Sequence, residues 1–145
     1  MAPELRDKAL RLLARREHSR AELAAKLGAA GASPEDIAAL LDELEAKNWL
    51  SDRRYAESYV ADKRGRYGRI KLGHELRRHG VAETLIEEVL GGMDEGEAAR
   101  LKAVWERKFG ALPGDARERA RQQRFLLGRG FSSAAVGKLL GGEQD

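Results

Sequence analysis

The chain has 145 residues, 42% hydrophobic and 35% charged, which is enough apolar content for a compact core and too much for a disordered tail. Its 27 Lys and Arg against 24 Asp and Glu leave a net charge of +3, and the lack of cysteine excludes thiol catalysis, disulfides and cysteine-based zinc sites. No apolar run approaches the ~20 residues of a membrane span, and the opening Met1-Ala2-Pro3-Glu4-Leu5-Arg6-Asp7 does not read as a signal peptide, so a cytoplasmic location is expected.

Ala, Leu, Glu, Arg and Lys dominate, and no stretch alternates with period two, so helices are predicted throughout. Leu5, Ala9, Leu12 and Leu13 line a first helix over Leu5–Arg16. His18 reads as a turn or surface residue, and Ser19-Arg20-Ala21-Glu22 is a capping box that opens the second helix. Gly28 and Gly31 stop it. Ser33-Pro34 then places a cap before a proline at the first helical position, and the third helix turns Ile37, Leu40, Leu41 and Leu44 inward. Asp52 is expected to cap a fourth helix over Arg53–Arg66, with a fifth ending at Gly80. Leu85, Ile86, Val89 and Leu90 mark the sixth, which stops at Gly91-Gly92. Asp94 caps a seventh over Glu97–Phe109, carrying Leu101, Val104 and Trp105 and closed by Gly110. An eighth runs to Gly130, and Ser132 caps the ninth.

A repeat runs through this pattern. Leu27-x3-Gly31-x5-Ile37-x2-Leu40-Leu41 returns as Leu76-x3-Gly80-x5-Ile86-x2-Val89-Leu90 and again as Leu126-x3-Gly130-x5-Val136-x2-Leu139-Leu140. Each copy is a helix end, a glycine-led turn and a helix start, preceded by a longer amphipathic helix. The expected fold is therefore all-α, three tandem three-helix repeats at 1–52, 53–93 and 94–145. Such units share surface with their neighbours, which predicts an elongated, curved array with hinges near Asp52 and Gly91–Asp94.

No catalytic constellation accompanies the helices. His74-Glu75-Leu76-Arg77-Arg78-His79 spaces its histidines at i, i+5, whereas two imidazoles on one metal need i, i+4. There is no phosphate loop, nucleophile elbow or calcium loop, and Glu87/Glu88 belong to a solvated face. No cofactor, metal or catalytic residue is predicted. The chain reads as a binding protein.

Its charge is uneven. Residues 1–52 sum to −2, 53–93 to +3 and 94–145 to +2. Within 53–79, Arg53, Arg54, Lys63, Arg64, Arg66, Arg69, Lys71, Arg77 and Arg78 oppose only Glu57, Asp62 and Glu75, a field that attracts phosphates or an acidic protein groove. Arg66, Arg69 and Lys71 bracket Gly68, so they are expected to reach outward from a turn. Arg117, Arg121 and Arg124, at i, i+4, i+7 on the eighth helix, form a second candidate stripe. Trp49, Tyr55, Tyr59 and Trp105 are read as core or inter-repeat packing, with base stacking as the minority reading.

Ser19-x2-Glu22-Leu23-x2-Lys26-Leu27, Leu44-x4-Trp49-Leu50-Ser51-Asp52-x2-Tyr55-Ala56-x2-Tyr59-Val60 and Arg64-x3-Gly68-x-Ile70-x4-Glu75-Leu76-x3-Gly80-Val81-x4-Ile86 together resemble the RecX regulatory proteins. The resemblance runs through most of residues 5–90. Beyond 94 it rests on three-helix layout and the Gly130/Val136 core, with Gly110-Ala111-Leu112-Pro113-Gly114 lengthening the third repeat's first connection. It implies a non-enzymatic modulator that docks in the groove of the RecA recombinase filament; a monomer is the default expectation. It further implies inhibition of filament extension, ATP hydrolysis and strand exchange, and contact with single-stranded DNA within the filament or directly. Two other classes fit the residues: an autonomous helix-turn-helix DNA binder and a helical-repeat adaptor. Against the first, the third helix carries Glu35, Asp36, Asp42, Glu43 and Glu45, which phosphates would repel.

Overall fold

A computed structural model describes residues 3–141. Among them lie nine α-helices and no strand: α1 (Pro3–Arg15), α2 (Arg20–Ala29), α3 (Pro34–Ala46), α4 (Asp52–Lys63), α5 (Arg69–Arg78), α6 (Glu83–Leu90), α7 (Glu97–Lys108), α8 (Ala116–Gly128) and α9 (Ser133–Leu140), with one 3₁₀ turn at Gly91–Met93. No helix among the described residues is long and apolar enough to cross a membrane.

Side-chain oxygens start most of these helices, each such cap being worth about 1 kcal/mol. Ser19, Ser33 and Ser132 accept from the amides of Glu22, Asp36 and Ala135 as their sequences predict. The capping box is only half formed, because the Glu22 carboxylate turns to Arg16 at 2.5 Å. Asp52 departs from expectation more instructively. Ser51 Oγ caps α4 through the Arg54 amide at 3.1 Å, while Asp52 Oδ1 accepts from the Arg20 amide at 2.7 Å and so caps α2. Asp94 caps nothing: α7 follows Gly96, in the left-handed region at φ 82° with no side-chain cap. Asp115 caps α8 through the Glu118 amide at 2.8 Å. Gly28 lies inside α2, α4 stops at Lys63, and Gly91-Gly92 lie in the 3₁₀ turn.

The repeat is a burial pattern. Leu27, Leu76 and Leu126 have no exposed surface, and Ile37, Ile86 and Val136 are buried beside Leu41, Leu90 and Leu140. Each fully buried Leu or Ile contributes about 2 kcal/mol before the entropy of ordering it. Leu12 and Leu13 are only half-buried.

Two compact units result, Met1–Tyr59 with Leu76–Val89 and Val60–Glu75 with Leu90–Asp145. The first is centred on Leu5, Leu23, Leu27, Ile37, Leu40, Leu41, Leu44 and Leu50. The second is centred on Leu101, Val104, Trp105, Leu126, Phe131, Val136 and Leu140. Buried Trp105 donates Nε1–H to Gln122 Oε1 at 2.9 Å, which satisfies the one polar pair in that core.

Each unit contains one helix-start-to-turn junction. In the first, Ser19 Oγ donates to the His79 carbonyl at 2.8 Å, and a Cβ on Gly80 would stand 2.5 Å from the Ala21 methyl. In the second, Gly68 N donates to the Arg129 carbonyl at 2.7 Å and Ile70 N to the Gly130 carbonyl at 3.1 Å. A Cβ on Gly130 would stand 2.5 Å from the Lys71 nitrogen. Gly80 and Gly130 therefore answer two demands, positive φ (83° and 95°) and backbone approach too close for a methyl. Gly31 shares the positive φ, but nothing lies within 4 Å of where its Cβ would be.

Candidate functional site

Charge divides by unit. The first holds 12 basic and 14 acidic residues, a net −2, and the second 15 and 10, a net +5. The basic run 53–79, contiguous in sequence, is split between them.

In the first unit most of the basic candidates are neutralised. Arg53 on α4 pairs with Glu88 and with Glu57. Arg54 donates Nε–H to Glu17 at 2.9 Å and Nη1–H to Asn48 Oδ1 at 3.1 Å. Arg77 on α5 grips Glu83 with two bonds of 2.8 Å, which raises the guanidinium pKa and holds the Glu83 carboxyl below its ordinary value. Arg78 is exposed at the end of α5.

In the second unit the picture changes. Lys63 approaches Asp62 at 3.5 Å, and Arg66 reaches the same carboxylate only at 4.0 Å. Arg64 is exposed on the turn after α4, and among the described residues no carboxylate pairs with it. Arg66 and Lys71 lie 5.6 and 5.5 Å from the Tyr67 ring centre. On α8, Arg117 and Arg124 are exposed, while Arg121 pairs with Glu118 at 2.9 Å and lies 5.0 Å from the Phe109 ring centre. Arg69 does not reach outward: Nη1 donates to the Leu90 carbonyl at 2.7 Å and faces Asp94 at 3.5 Å. With Arg100, which donates to the Met93 and Glu95 carbonyls, it ties down the segment after α6.

Five residues outside the sequence-derived set join this site. Tyr67 is the ring on which Arg66, Lys71 and Arg129 gather, and Arg129 also lies 4.9 Å from the Phe125 ring centre. Lys108 sits 5.0 Å from Phe125, and Arg107 donates to the Gly65 carbonyl at 3.3 Å. The available signals were the basic–aromatic alternation Arg64-Gly65-Arg66-Tyr67 and the place of Arg129 just before a repeat glycine.

Other predicted aromatics and histidines resolve differently. Trp105 and Tyr55 are buried, but Trp49 is 48% exposed under the Lys47 ammonium. His18 is buried at 1% exposure, with Nδ1 on the Arg16 carbonyl at 3.1 Å and Nε2 facing Lys26 Nζ at 2.9 Å. Burial, then Arg16 and Lys26, lower its pKa. His79 Nδ1 meets the Tyr55 hydroxyl at 2.5 Å, while His74 is exposed. Among the described residues no three His, Asp or Glu could hold a metal. A shallow groove of about 420 Å³ between α2 and α3 has Arg20 as its one charged lining residue, and Arg20 is bound to Asp42 and Glu45. The chemistry on offer is recognition of anions by guanidinium and ammonium groups held on aromatic faces.

Comparison with known proteins assigns the framework. Residues 6–44, 51–90 and 95–140 match the family models for the first, second and third three-helix domains of RecX. Regulatory protein RecX of Ralstonia nicotianae is 48% identical over 138 residues, covering 95% of this chain and 87% of that protein. Its counterpart in Pseudomonas savastanoi pv. phaseolicola is 48% identical over 142 residues, covering 95% and 90%. The crystal structure of RecX from Lactobacillus salivarius shares the fold at a TM-score of 0.75 and 20% identity, covering 94% of this chain and 92% of that one. With its three three-helix segments matched in order and close relatives along most of its length, this chain belongs to the RecX family of regulatory proteins.

Proposed function

We propose that this chain regulates the RecA recombinase by binding the RecA–DNA filament and restraining its extension, ATP hydrolysis and strand exchange. The observation that carries this reading is the net +5 of the Val60–Glu75 and Leu90–Asp145 unit, where among the described residues Arg64, Lys71, Arg117, Arg124 and Arg129 have no carboxylate partner. Membership of a family whose proteins are named regulatory supports it. Arg64, Arg66, Lys71, Arg117, Arg121 and Arg124 are the contacts toward the filament's negative surface. Arg53, Arg54 and Arg77 contribute from the first unit after giving up part of their charge to carboxylates, Arg78 contributes from the end of α5, and Lys63 and Arg69 set the shape of the turns. The protein acts by binding, as a monomer in the cytoplasm, in recombinational DNA repair and the SOS response. An autonomous groove reader is disfavoured by the carboxylates of α3.

The test is RecA-catalysed ATP hydrolysis on single-stranded DNA, titrated with this protein at two salt concentrations. Inhibition that weakens as salt rises supports charge-driven docking. Hydrolysis unaffected at every ratio overturns it.

A further inference from the structure

The turn between α4 and α5, Arg64-Gly65-Arg66-Tyr67-Gly68, is fastened within the second unit by three bonds. Arg107 donates to the Gly65 carbonyl at 3.3 Å, Arg129 donates to the Arg66 carbonyl at 3.1 Å, and Gly68 N donates to the Arg129 carbonyl at 2.7 Å. A Cβ on Gly68 would collide with the Gly130 carbonyl, so the turn sits flush against residues 129–130. Half-buried Tyr67 rises from this platform. Three cations lie around it, with Arg129 Cζ, Lys71 Nζ and Arg66 Cζ at 5.1, 5.5 and 5.6 Å from the ring centre. Arg129 is held a second time by Phe125, at 4.9 Å.

Elsewhere Arg16, Arg20, Arg53, Arg54, Arg77 and Arg121 each rest on a carboxylate. Here, among the described residues, the one carboxylate in range is Asp62, at 4.0 Å from Arg66. A π face attracts a cation without cancelling its charge, so three positive centres stay crowded and repel one another. An anion that spans them relieves the repulsion. A single carboxylate meets one guanidinium at a time, whereas a phosphodiester strand presents charge after charge to centres drawn from a turn, a helix start and a second turn. Because cations already cover Tyr67, the ring orders them and does not stack a base, which makes the contact independent of sequence.

We propose that Arg66, Lys71 and Arg129, gathered on Tyr67, form a seat for the phosphodiester backbone of single-stranded DNA, occupied even in the absence of the recombinase. The inference deepens the filament reading above and rests on it for its setting, since it names DNA phosphates rather than protein as what this cluster touches. Tyr67 is a positioning residue.

The experiment is fluorescence anisotropy of a labelled oligothymidylate of about 20 nucleotides with the full chain, across a salt series. Each phosphate contact adds about −0.7 to the log–log salt slope, so three predict roughly −2. R66Q/K71Q, which keeps the Cβ atoms and removes only the charged ends, is expected to bind about tenfold more weakly, with the slope reduced in magnitude by about 1.4. Y67L, all charges kept, is expected to lose about threefold, and Y67F to restore wild-type binding, which a loss of bulk packing alone would not discriminate. R11Q/R15Q, on exposed positions of α1, removes equal charge and changes neither number. Wild-type affinity and slope in R66Q/K71Q overturn the seat, as does an equal loss in R11Q/R15Q. If R66Q/K71Q keeps the oligonucleotide but loses inhibition of RecA, the cluster touches the recombinase: this inference fails and the filament reading survives. If it loses the oligonucleotide and still inhibits, the seat stands and the filament reading must do without it.

Discussion

The two helix-start-to-turn junctions use the same geometry and different chemistry. At the first, Ser19 reaches the His79 carbonyl through a hydroxyl and Asp52 closes the α2 amide beside it. At the second, Gly68 reaches the Arg129 carbonyl with its own backbone amide, and cations on aromatic rings surround the contact. At the serine junction Gly80 packs against the Ala21 methyl, whereas at the glycine junction Gly130 packs against the Lys71 backbone as well as its Cβ. The polar junction belongs to the unit that is net negative, and the backbone junction to the one that is net positive. One repeat thus builds both a net negative unit and a net positive one.

Steric change breaks this comparison most severely. Gly130→Ala forces a methyl onto the Lys71 backbone at φ 95°, so both strain and overpacking apply, and urea unfolding should show a loss of about 3 kcal/mol or more. Gly31→Ala meets only the positive φ and should cost about 1 kcal/mol. Equal losses would mean that the junction is not what sets the two glycines apart. Next in size, Asp52→Ala removes the acceptor from the Arg20 amide and should cost about 1 kcal/mol. Glu97, which opens α7 as Asp52 opens α4, meets the Arg69 amide at the second junction only at 3.5 Å, so Glu97→Ala should cost less than Asp52→Ala.

Charge variants sharpen the contrast without unfolding anything. Arg77→Gln and Arg66→Gln should leave the melting temperature in place, since both side chains are exposed. In the RecA hydrolysis assay Arg66→Gln should weaken inhibition severalfold and Arg77→Gln barely at all, because Glu83 already holds the Arg77 charge.

The smallest effect is one of pH. Burial lowers the His18 pKa, and Arg16 and Lys26 lower it further against the pull of Glu22 and the Arg16 carbonyl. Below about 6.5 the unfolded chain takes up a proton that the folded chain refuses, so stability is full above that value and falls as pH drops toward the lowered folded pKa. Thermal melts between pH 7 and 5.5 should show this decline, and His18→Gln should flatten it. The second junction carries Tyr67 in the place of His18, so no matching decline is expected there.

The helical framework was legible because its signals are local. Serine caps and the Leu–Gly–Ile spacing act within one turn of chain, and they are seated as predicted at Ser19, Ser33, Ser132, Leu27, Leu76 and Leu126. What escaped depends on distant partners. Asp52 looked like the cap of its own helix, yet its carboxylate finds an amide 32 residues earlier. Arg69 looked like a projecting cation, but the free carbonyl at the end of α6 takes it. His18 looked like surface because polarity says nothing of what folds over it. Tyr67 and Arg129, 62 positions apart in the chain, meet only through the glycine contact at Gly68. Trp49 went the other way, an apolar residue left outside under Lys47.

The bond from Asp52 to Arg20 bears on any attempt to dissect the molecule. A fragment ending at residue 51 would retain every side chain of the Leu23–Leu44 cluster and still carry a frayed helix, because its missing acceptor is encoded at the start of the following module. The seams visible in the amino-acid pattern are therefore poor places to cut, and excision at Asp52 would take from the leading segment a part that only its successor provides.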